Sequence, residues 1–186
     1  MQQEIEQTLV TLQKGGLILY PTDTVWGIGC DATREDAVQK VFQLKKRQEN
    51  KALICLVSKL EMLEEIVGNV PETVLQILEN TSRPTTIVYE NPKGVAKNLI
   101  ANDNTLAIRM VKDAFCEQLI EALGKPIVST SANISSQKSP ERFQEISREI
   151  LEGVDYIVNL HRQKRGGQTS AIIRLTHEGE IVVIRS

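Results

Sequence analysis

Apolar residues along the chain recur at two spacings, one typical of amphipathic helices and one typical of short buried strands. Ile5, Leu9 and Leu12 share one helical face, and glycines at residues 15–16 end that helix before an apolar strand over residues 17–20. The same reasoning predicts further elements in this order: a helix over residues 35–47, a strand over residues 52–57, helices over residues 60–67 and 71–78, strands over residues 87–89 and 105–111, a helix over residues 116–123, a strand over residues 127–128, a helix from residue 140, a strand over residues 154–158, and a hairpin of residues 170–175 and 181–185. Helices that alternate with short strands, closed by a hairpin, indicate a three-layer or open-faced α/β domain with a mixed sheet.

Composition agrees with one globular domain and narrows the classes of ligand. The 186 residues are 41% hydrophobic and 25% charged, which is enough apolar material for a single core. The net charge of −2 gives the whole protein no attraction to nucleic acid or to an anionic membrane, so any basic site must be local.

The cysteines and the N-terminus predict a soluble cytoplasmic protein without a membrane partner. Cys30, Cys55 and Cys116 are odd in number and widely spaced, as expected for reduced thiols and not for disulfides or a zinc site. The longest apolar runs are far shorter than a membrane span, and the N-terminus is polar and acidic.

The richest candidate chemistry lies in a stretch of hydroxyls and an amide after the strand over residues 127–128. Ser129, Ser131 and Asn133 are followed by Ser139, which can cap a helix that begins at Pro140. A helix N-terminus beside small polar residues suits an anion. The alternative is a serine-rich turn with an ordinary helix cap.

Two further segments carry polar groups near the ends of predicted strands. Residues 21–29 form a loop that brings Thr24 to the carboxyl end of the first strand, where open α/β sheets usually bind ligands. Lys45 and Arg47 end the second predicted helix, and they can converge on one ligand only if the helix stops near Lys46. The alternatives are a simple turn in the first case and a solvated helix end in the second.

A single arginine stands on an otherwise apolar predicted strand. Thr105, Ala107 and Arg109 share one face of that strand, because side chains alternate with a period of two. Burying an unpaired arginine is costly, so Arg109 should meet a carboxylate or a phosphate. An internal salt bridge is the alternative.

No common catalytic signature for phosphates or acyl groups is present. The chain lacks a P-loop, a G-x-G-x-x-G after a strand, and a G-x-S-x-G elbow. It offers basic residues and hydroxyls near predicted strand ends, a set that suits binding of phosphates and a carboxylate without a covalent intermediate.

Three separated segments, in order, resemble the hallmarks of the YrdC-like family. They are residues 20–29, residues 44–47 with Lys51, and residues 129–135. The resemblance runs through the whole chain, and it implies one YrdC-like domain over residues 1–186: a twisted open mixed sheet with flanking helices and a C-terminal β-hairpin. It also implies a nucleotidyltransferase that makes L-threonylcarbamoyladenylate from L-threonine, bicarbonate or CO2, and ATP, for the N6-threonylcarbamoyl modification of adenosine 37 in tRNA.

The resemblance assigns roles by matching position. Threonine would be held by Thr24, Arg109 and Ser170, and Lys45, Arg47 and Lys51 would be catalytic, with Mg2+ accompanying ATP. The nucleotide would be contacted by Lys45, Arg47, Lys51, Thr105, Ser129, Ser131, Asn133, Ser139 and Arg185. The product would pass to the downstream tRNA threonylcarbamoyl transferase machinery.

The competing hypothesis is a non-catalytic module that binds double-stranded RNA or tRNA. Its motivation is the basic group of residues 45–47 with Lys51 and a second group at Arg162, Lys164 and Arg165. The net charge of −2 and the aromatic content of 4% argue against a platform for stacking single strands. A weak contact with tRNA is compatible with the enzyme.

Overall fold

The structure is a computed structural model that describes residues 1–48, 53–175 and 181–186. The α-helices are α1 Gln2–Gln13, α2 Glu35–Leu44, α3 Leu60–Val67, α4 Glu72–Asn80, α5 Ala114–Leu123 and α6 Arg148–Gly153. The strands are β1 Ile18–Tyr20, β2 Gly27–Gly29, β3 Ile54–Val57, β4 Thr85–Glu90, β5 Thr105–Met110, β6 Ile127–Ser131, β7 Tyr156–Ile157, β8 Ala171–Leu175 and β9 Ile181–Arg185. Short 3-10 helices cover Lys97–Leu99 and Phe143–Glu145.

The described strands form one mixed sheet in the order β7-β1-β2-β6-β3-β5-β4-β8-β9. Three pairs are parallel (β1 with β7, β3 with β5, β4 with β8) and the other described pairs are antiparallel, among them β8 and β9, which form the predicted hairpin. The α/β architecture with a mixed sheet and a terminal hairpin is therefore confirmed. Among the described residues, no helix is both long and apolar enough to cross a bilayer.

The helices bury the apolar stripes that the sequence predicts. Ile5 and Leu12 of α1 are almost fully buried, and α1 packs against α5. In α5, Asp113 accepts hydrogen bonds from the backbone N–H groups of Phe115 and Cys116, and Gly124 ends the helix in the left-handed region at φ 66°. A capped N-terminus and a glycine at the C-terminus are the signals that predict the boundaries of a helix from its sequence.

Residues 21–29 are not loop throughout, because β2 occupies Gly27–Gly29. The two glycines let this strand run beside Tyr20: a Cβ on Gly29 would lie 2.6 Å from the Val128 carbonyl oxygen and 2.7 Å from the Tyr20 ring. A strand without side chains at alternate positions carries no apolar periodicity, which explains why its sequence resembles a loop.

The predicted helix that begins at Pro140 under a Ser139 cap is wrong. The Ser139 hydroxyl instead lies 3.5 Å from the Asn133 side-chain oxygen, and the chain forms only the short 3-10 helix before α6 begins at Arg148. The Glu141 carbonyl accepts a hydrogen bond of 2.6 Å from the Gly166 backbone N–H. In a helix, that carbonyl would point along the helix axis. No helix N-terminus therefore points its positive end at the serine-rich stretch from this position.

Candidate functional site

A cleft of about 230 Å³ lies across one face of the sheet. Gly27 stands opposite Ser131, and Ile54 stands opposite both Ser129 and Ala107, so these lining residues share a face by register. Polar lining residues stand near strand ends, where sequence reasoning placed them: Ser131 ends β6, Arg185 ends β9 and Ser170 directly precedes β8. Because β6 lies antiparallel between β2 and β3, its serines face residues of both neighbours. The residues predicted for the site that line this cleft are Thr24, Arg47, Arg109, Ser129, Ser131, Ser139, Ser170 and Arg185.

Arg109 lies in the cleft on the inner strand β5 with only 3% of its side chain exposed. Its Nη2 atom is 3.0 Å from Oδ1 of Asp23, so the internal salt bridge considered from the sequence is present. Nη1 lies 3.5 Å from the Thr24 hydroxyl, and the buried Nε has no hydrogen-bond partner among the described residues. Burial raises the pKa of Asp23, and the positive charge of Arg109 acts in the opposite direction. The guanidinium therefore keeps one unused donor.

The Thr24 loop is fixed by its own hydroxyls and by the segment before β8. Thr22 Oγ1 accepts a hydrogen bond of 3.0 Å from the Thr24 backbone N–H and donates one of 2.8 Å to the Val25 carbonyl. It also lies 2.9 Å from the Thr24 hydroxyl. The Gly167 backbone N–H donates to the Thr24 carbonyl at 2.7 Å. Thr22 and Gly167 were not among the predicted site residues, although Thr22 lies within the recognised segment.

Ser170 lies just before β8 and connects two residues that are distant in sequence. Its hydroxyl is 2.8 Å from the hydroxyl of Thr86, and it accepts from Arg185 Nη2 at 3.3 Å. The Ser170 carbonyl accepts from Nε and Nη2 of Arg185 at 3.1 and 2.9 Å. Burial, followed by the charges of Arg109 and Arg83, lowers the pKa of Arg185. Arg185 thus uses two guanidinium donors to hold the Ser170 backbone beside the cleft.

The serine-rich loop after β6 is held by Asn133. The Asn133 side-chain amide donates to the carbonyls of Ile134 and Gln137 at 2.9 and 2.8 Å. Ser129, Ser131 and Ser139 line the cleft, whereas Asn133 is not among its described lining residues. These contacts hold the loop, and the contact of Asn133 with the nucleotide stays a prediction.

Lys45 lies behind that loop and is 1% exposed. Its ammonium donates to the carbonyl oxygens of Ser131 and, at 2.7 Å, of Asn133. Burial and, second, the charge of Arg47 lower the pKa of Lys45 to about 7. Unlike Arg47, Lys45 is not among the described residues that line the cleft. The structure thus gives Lys45 contacts that hold the loop's backbone.

The helix α2 stops where the sequence argument required, but Lys45 and Arg47 do not converge on one ligand position. The helix ends at Leu44, and Lys46 adopts a left-handed φ of 49°. The Arg47 backbone N–H then donates to the Phe42 carbonyl at 2.9 Å, and its side chain lines the cleft, where burial lowers its pKa. Lys45 therefore turns inward, whereas Arg47 reaches the cleft.

Besides Lys45 and Asn133, two further predicted residues are not placed in the cleft. Thr105 donates to Oδ1 of Asp103 at 2.6 Å and is not among the described lining residues. Lys51 falls outside the described residues. Within the described ranges, no group of three or more His, Cys, Asp or Glu side chains is arranged to hold a metal ion.

Comparisons with known proteins place the whole described fold in one family. The family model for Sua5, YciO and YrdC, described as "Telomere recombination", matches residues 10–186. A threonylcarbamoyl-AMP synthase from Hahella chejuensis is 33% identical over 178 residues, which are 91% of this chain and 97% of that protein.

Solved structures give the same fold. P. abyssi Sua5 complexed with L-threonine matches with a TM-score of 0.84 and 28% identity over 97% of this chain, which spans about half (53%) of that longer protein. E. coli YciO matches with a TM-score of 0.86 over all of this chain and 90% of its own, and at 24% identity it supports the fold.

Proposed function

The chain belongs to the Sua5, YciO and YrdC family, and we propose that it synthesises L-threonylcarbamoyladenylate for the threonylcarbamoyl modification of tRNA. The substrates are L-threonine, bicarbonate or CO2, and ATP, and pyrophosphate is released. The observation that carries the proposal is the buried Arg109, whose Nε lacks a partner in the described structure and which lies in one cleft with Thr24 and Ser170. A buried cationic fork with an unused donor suits an amino-acid carboxylate.

The reaction needs positioned groups and no protein nucleophile. The amine of threonine attacks CO2 and loses a proton to give a carbamate, and a carbamate oxygen attacks the α-phosphorus of ATP as the bond to pyrophosphate breaks. Arg47 in the cleft would follow the phosphates, and the hydroxyls of Ser129, Ser131 and Ser139 would orient the nucleotide. Burial raises the pKa of Cys30, Cys55 and Cys116, which keeps these thiols protonated.

Mg2+ enters this proposal with ATP. Mg2+ usually keeps several waters and binds substrate phosphates with only one or two carboxylates from the protein. A site without a cluster of acidic ligands in its described part fits an ion that arrives on the nucleotide better than one held by the protein. When bound, the ion would neutralise charge on the phosphates. Lys51 stays a predicted contact, and Lys45 would act through the loop that it holds.

The test is a reaction with purified protein, ATP, Mg2+, L-threonine and bicarbonate. We expect pyrophosphate release that requires threonine, and a product by mass spectrometry that gains one mass unit when the bicarbonate carries 13C. Pyrophosphate release that is unchanged when threonine is omitted would contradict the proposal.

RNA binding stays a prediction of lesser weight. Lys46 pairs with Glu149 at 2.8 Å, and Arg165 pairs with Glu141 at 2.5 Å, so two of the cations that suggested RNA already have carboxylate partners. Arg162 lies over the Phe143 ring at 4.7 Å. Titration with tRNA at two salt concentrations separates the cases, since phosphate contacts weaken steeply with salt. Absence of binding at low salt would remove a direct tRNA contact.

A further inference from the structure

Thr86 is a fully buried residue of β4 on the face that carries the cleft. It stands opposite Ile172, a lining residue, in the parallel β4–β8 pair. Continuing the antiparallel β4–β5 register by one residue from Ile87 and Ile108 puts Thr86 beside Arg109. Its hydroxyl is 2.8 Å from the Ser170 hydroxyl. Thr86 therefore lies under the amino-acid end of the cleft.

The direction of the proton in this hydroxyl pair follows from the other partners. A guanidinium only donates, so the Ser170 hydroxyl accepts from Arg185. In the described structure the Thr86 hydroxyl has no hydrogen-bond partner other than Ser170, and a buried O–H without an acceptor is costly. Donation from Thr86 to Ser170 satisfies both requirements.

With Thr86 and Arg185 both donating, the two lone pairs of the Ser170 oxygen are used. Its own proton must then go to an acceptor elsewhere, and Ser170 lines the cleft. A hydroxyl in this state can donate to an oxygen, but it cannot accept from an ammonium group.

We propose that Thr86 is a positioning residue for the amino-acid substrate, which holds the Ser170 hydroxyl as a donor toward a substrate oxygen. This inference rests on the proposed function. It adds Thr86 to the same site and assigns the Ser170 hydroxyl the role of hydrogen-bond donor. It predicts that Ser170 contacts an oxygen of threonine, in the carboxylate or in the side-chain hydroxyl, and not its amine.

The main test is Thr86→Val, which keeps the shape and removes the hydroxyl. We expect the KM for threonine to rise about tenfold, as for the loss of one hydrogen bond, with the KM for ATP changed less than about twofold. Thr86→Ser should restore the KM for threonine to within about threefold of the wild-type value. The matched control is Thr85→Val, because neighbouring residues of a strand point to opposite faces. Thr85 is likewise buried, with 9% exposed, and its hydroxyl donates to the Arg83 carbonyl at 3.0 Å. It should lower the melting temperature without raising the KM for threonine.

Ligand analogues identify the oxygen. (R)-1-Amino-2-propanol lacks the carboxylate and its carbon, and L-2-aminobutyrate lacks the side-chain hydroxyl; inhibition constants of both are compared between wild type and Thr86→Val. The effect of the substitution should vanish for the analogue that lacks the oxygen contacted by Ser170. An equal effect on all three ligands, or an unchanged KM for threonine, overturns this inference and leaves the proposed function standing. If the wild-type protein shows no threonine-dependent pyrophosphate release, both fail.

Discussion

Arg109 and Lys45 are two almost completely buried cations of one site, and their surroundings differ. Arg109 pairs with a carboxylate, Asp23, and lines the cleft. Lys45 contacts two neutral carbonyls behind the cleft. A guanidinium stays charged at every relevant pH, whereas burial brings the pKa of Lys45 to about 7. In our proposal the ligand meets Arg109, and Lys45 holds the loop behind the cleft.

The largest expected effect concerns the ion pair of Arg109. Asp23→Asn removes the carboxylate and leaves the buried guanidinium without its counter-charge, so we expect the free energy of unfolding to fall by about 3 kcal/mol in urea denaturation. Asp36→Asn is the matched control, because Asp36 pairs with Arg34 at the surface at 2.8 Å and solvent screens that pair. Equal losses in the two variants would show that the Arg109 pair behaves as a surface pair.

The next effect separates the ligands of the two cleft arginines. Arg109→Ala should weaken threonine binding by about 1.5–3 kcal/mol and spare ATP, since it removes a hydrogen bond to a charged group. Arg47→Ala should weaken ATP binding and lower turnover while sparing threonine. Calorimetry with each ligand, on variants shown to be folded by circular dichroism, measures both. Loss of ATP affinity in Arg109→Ala with intact threonine affinity would mean that the roles are exchanged.

The smallest effect tests the lysine side of the comparison through pH. In the unfolded chain Lys45 has its ordinary pKa, so between about pH 7 and 8.5 it keeps a proton that the folded protein releases. The free energy of unfolding should therefore rise by about 1 kcal/mol per pH unit in this range. Below the folded pKa of about 7 both states are protonated, and this dependence ends. The measurement is the difference in free energy of unfolding between wild type and Lys45→Met at each pH, in which the titration of the thiols cancels.

Lys46→Met is the control for that difference, because Lys46 is largely exposed beside Glu149. Its difference from wild type should be independent of pH across the same range. A flat profile for Lys45→Met as well would show that Lys45 stays charged in the folded protein.

Most of the elements and the polar groups of the cleft could be predicted from the sequence. The apolar stripes and the glycine end predicted α1 and α5, and alternation predicted β5 with Arg109 among apolar neighbours. These features are local, because side-chain periodicity and capping act within a few residues of each other. The three separated motifs also indicated the family, which the comparisons confirm.

How these groups face one another depends on the tertiary structure. Ser131 meets Gly27 and Ser129 meets Ile54 because β6 lies antiparallel between β2 and β3, which no local pattern records. Lys45 turns under the loop because it contacts the distant Ser131 carbonyl. The predicted helix at Pro140 is likewise replaced by a contact with a distant residue, Gly166. Thr86 reaches Ser170 across 84 positions. Such contacts form only when distant strands pair, and the strength of a hydrogen bond depends on distance and direction, which a sequence does not contain.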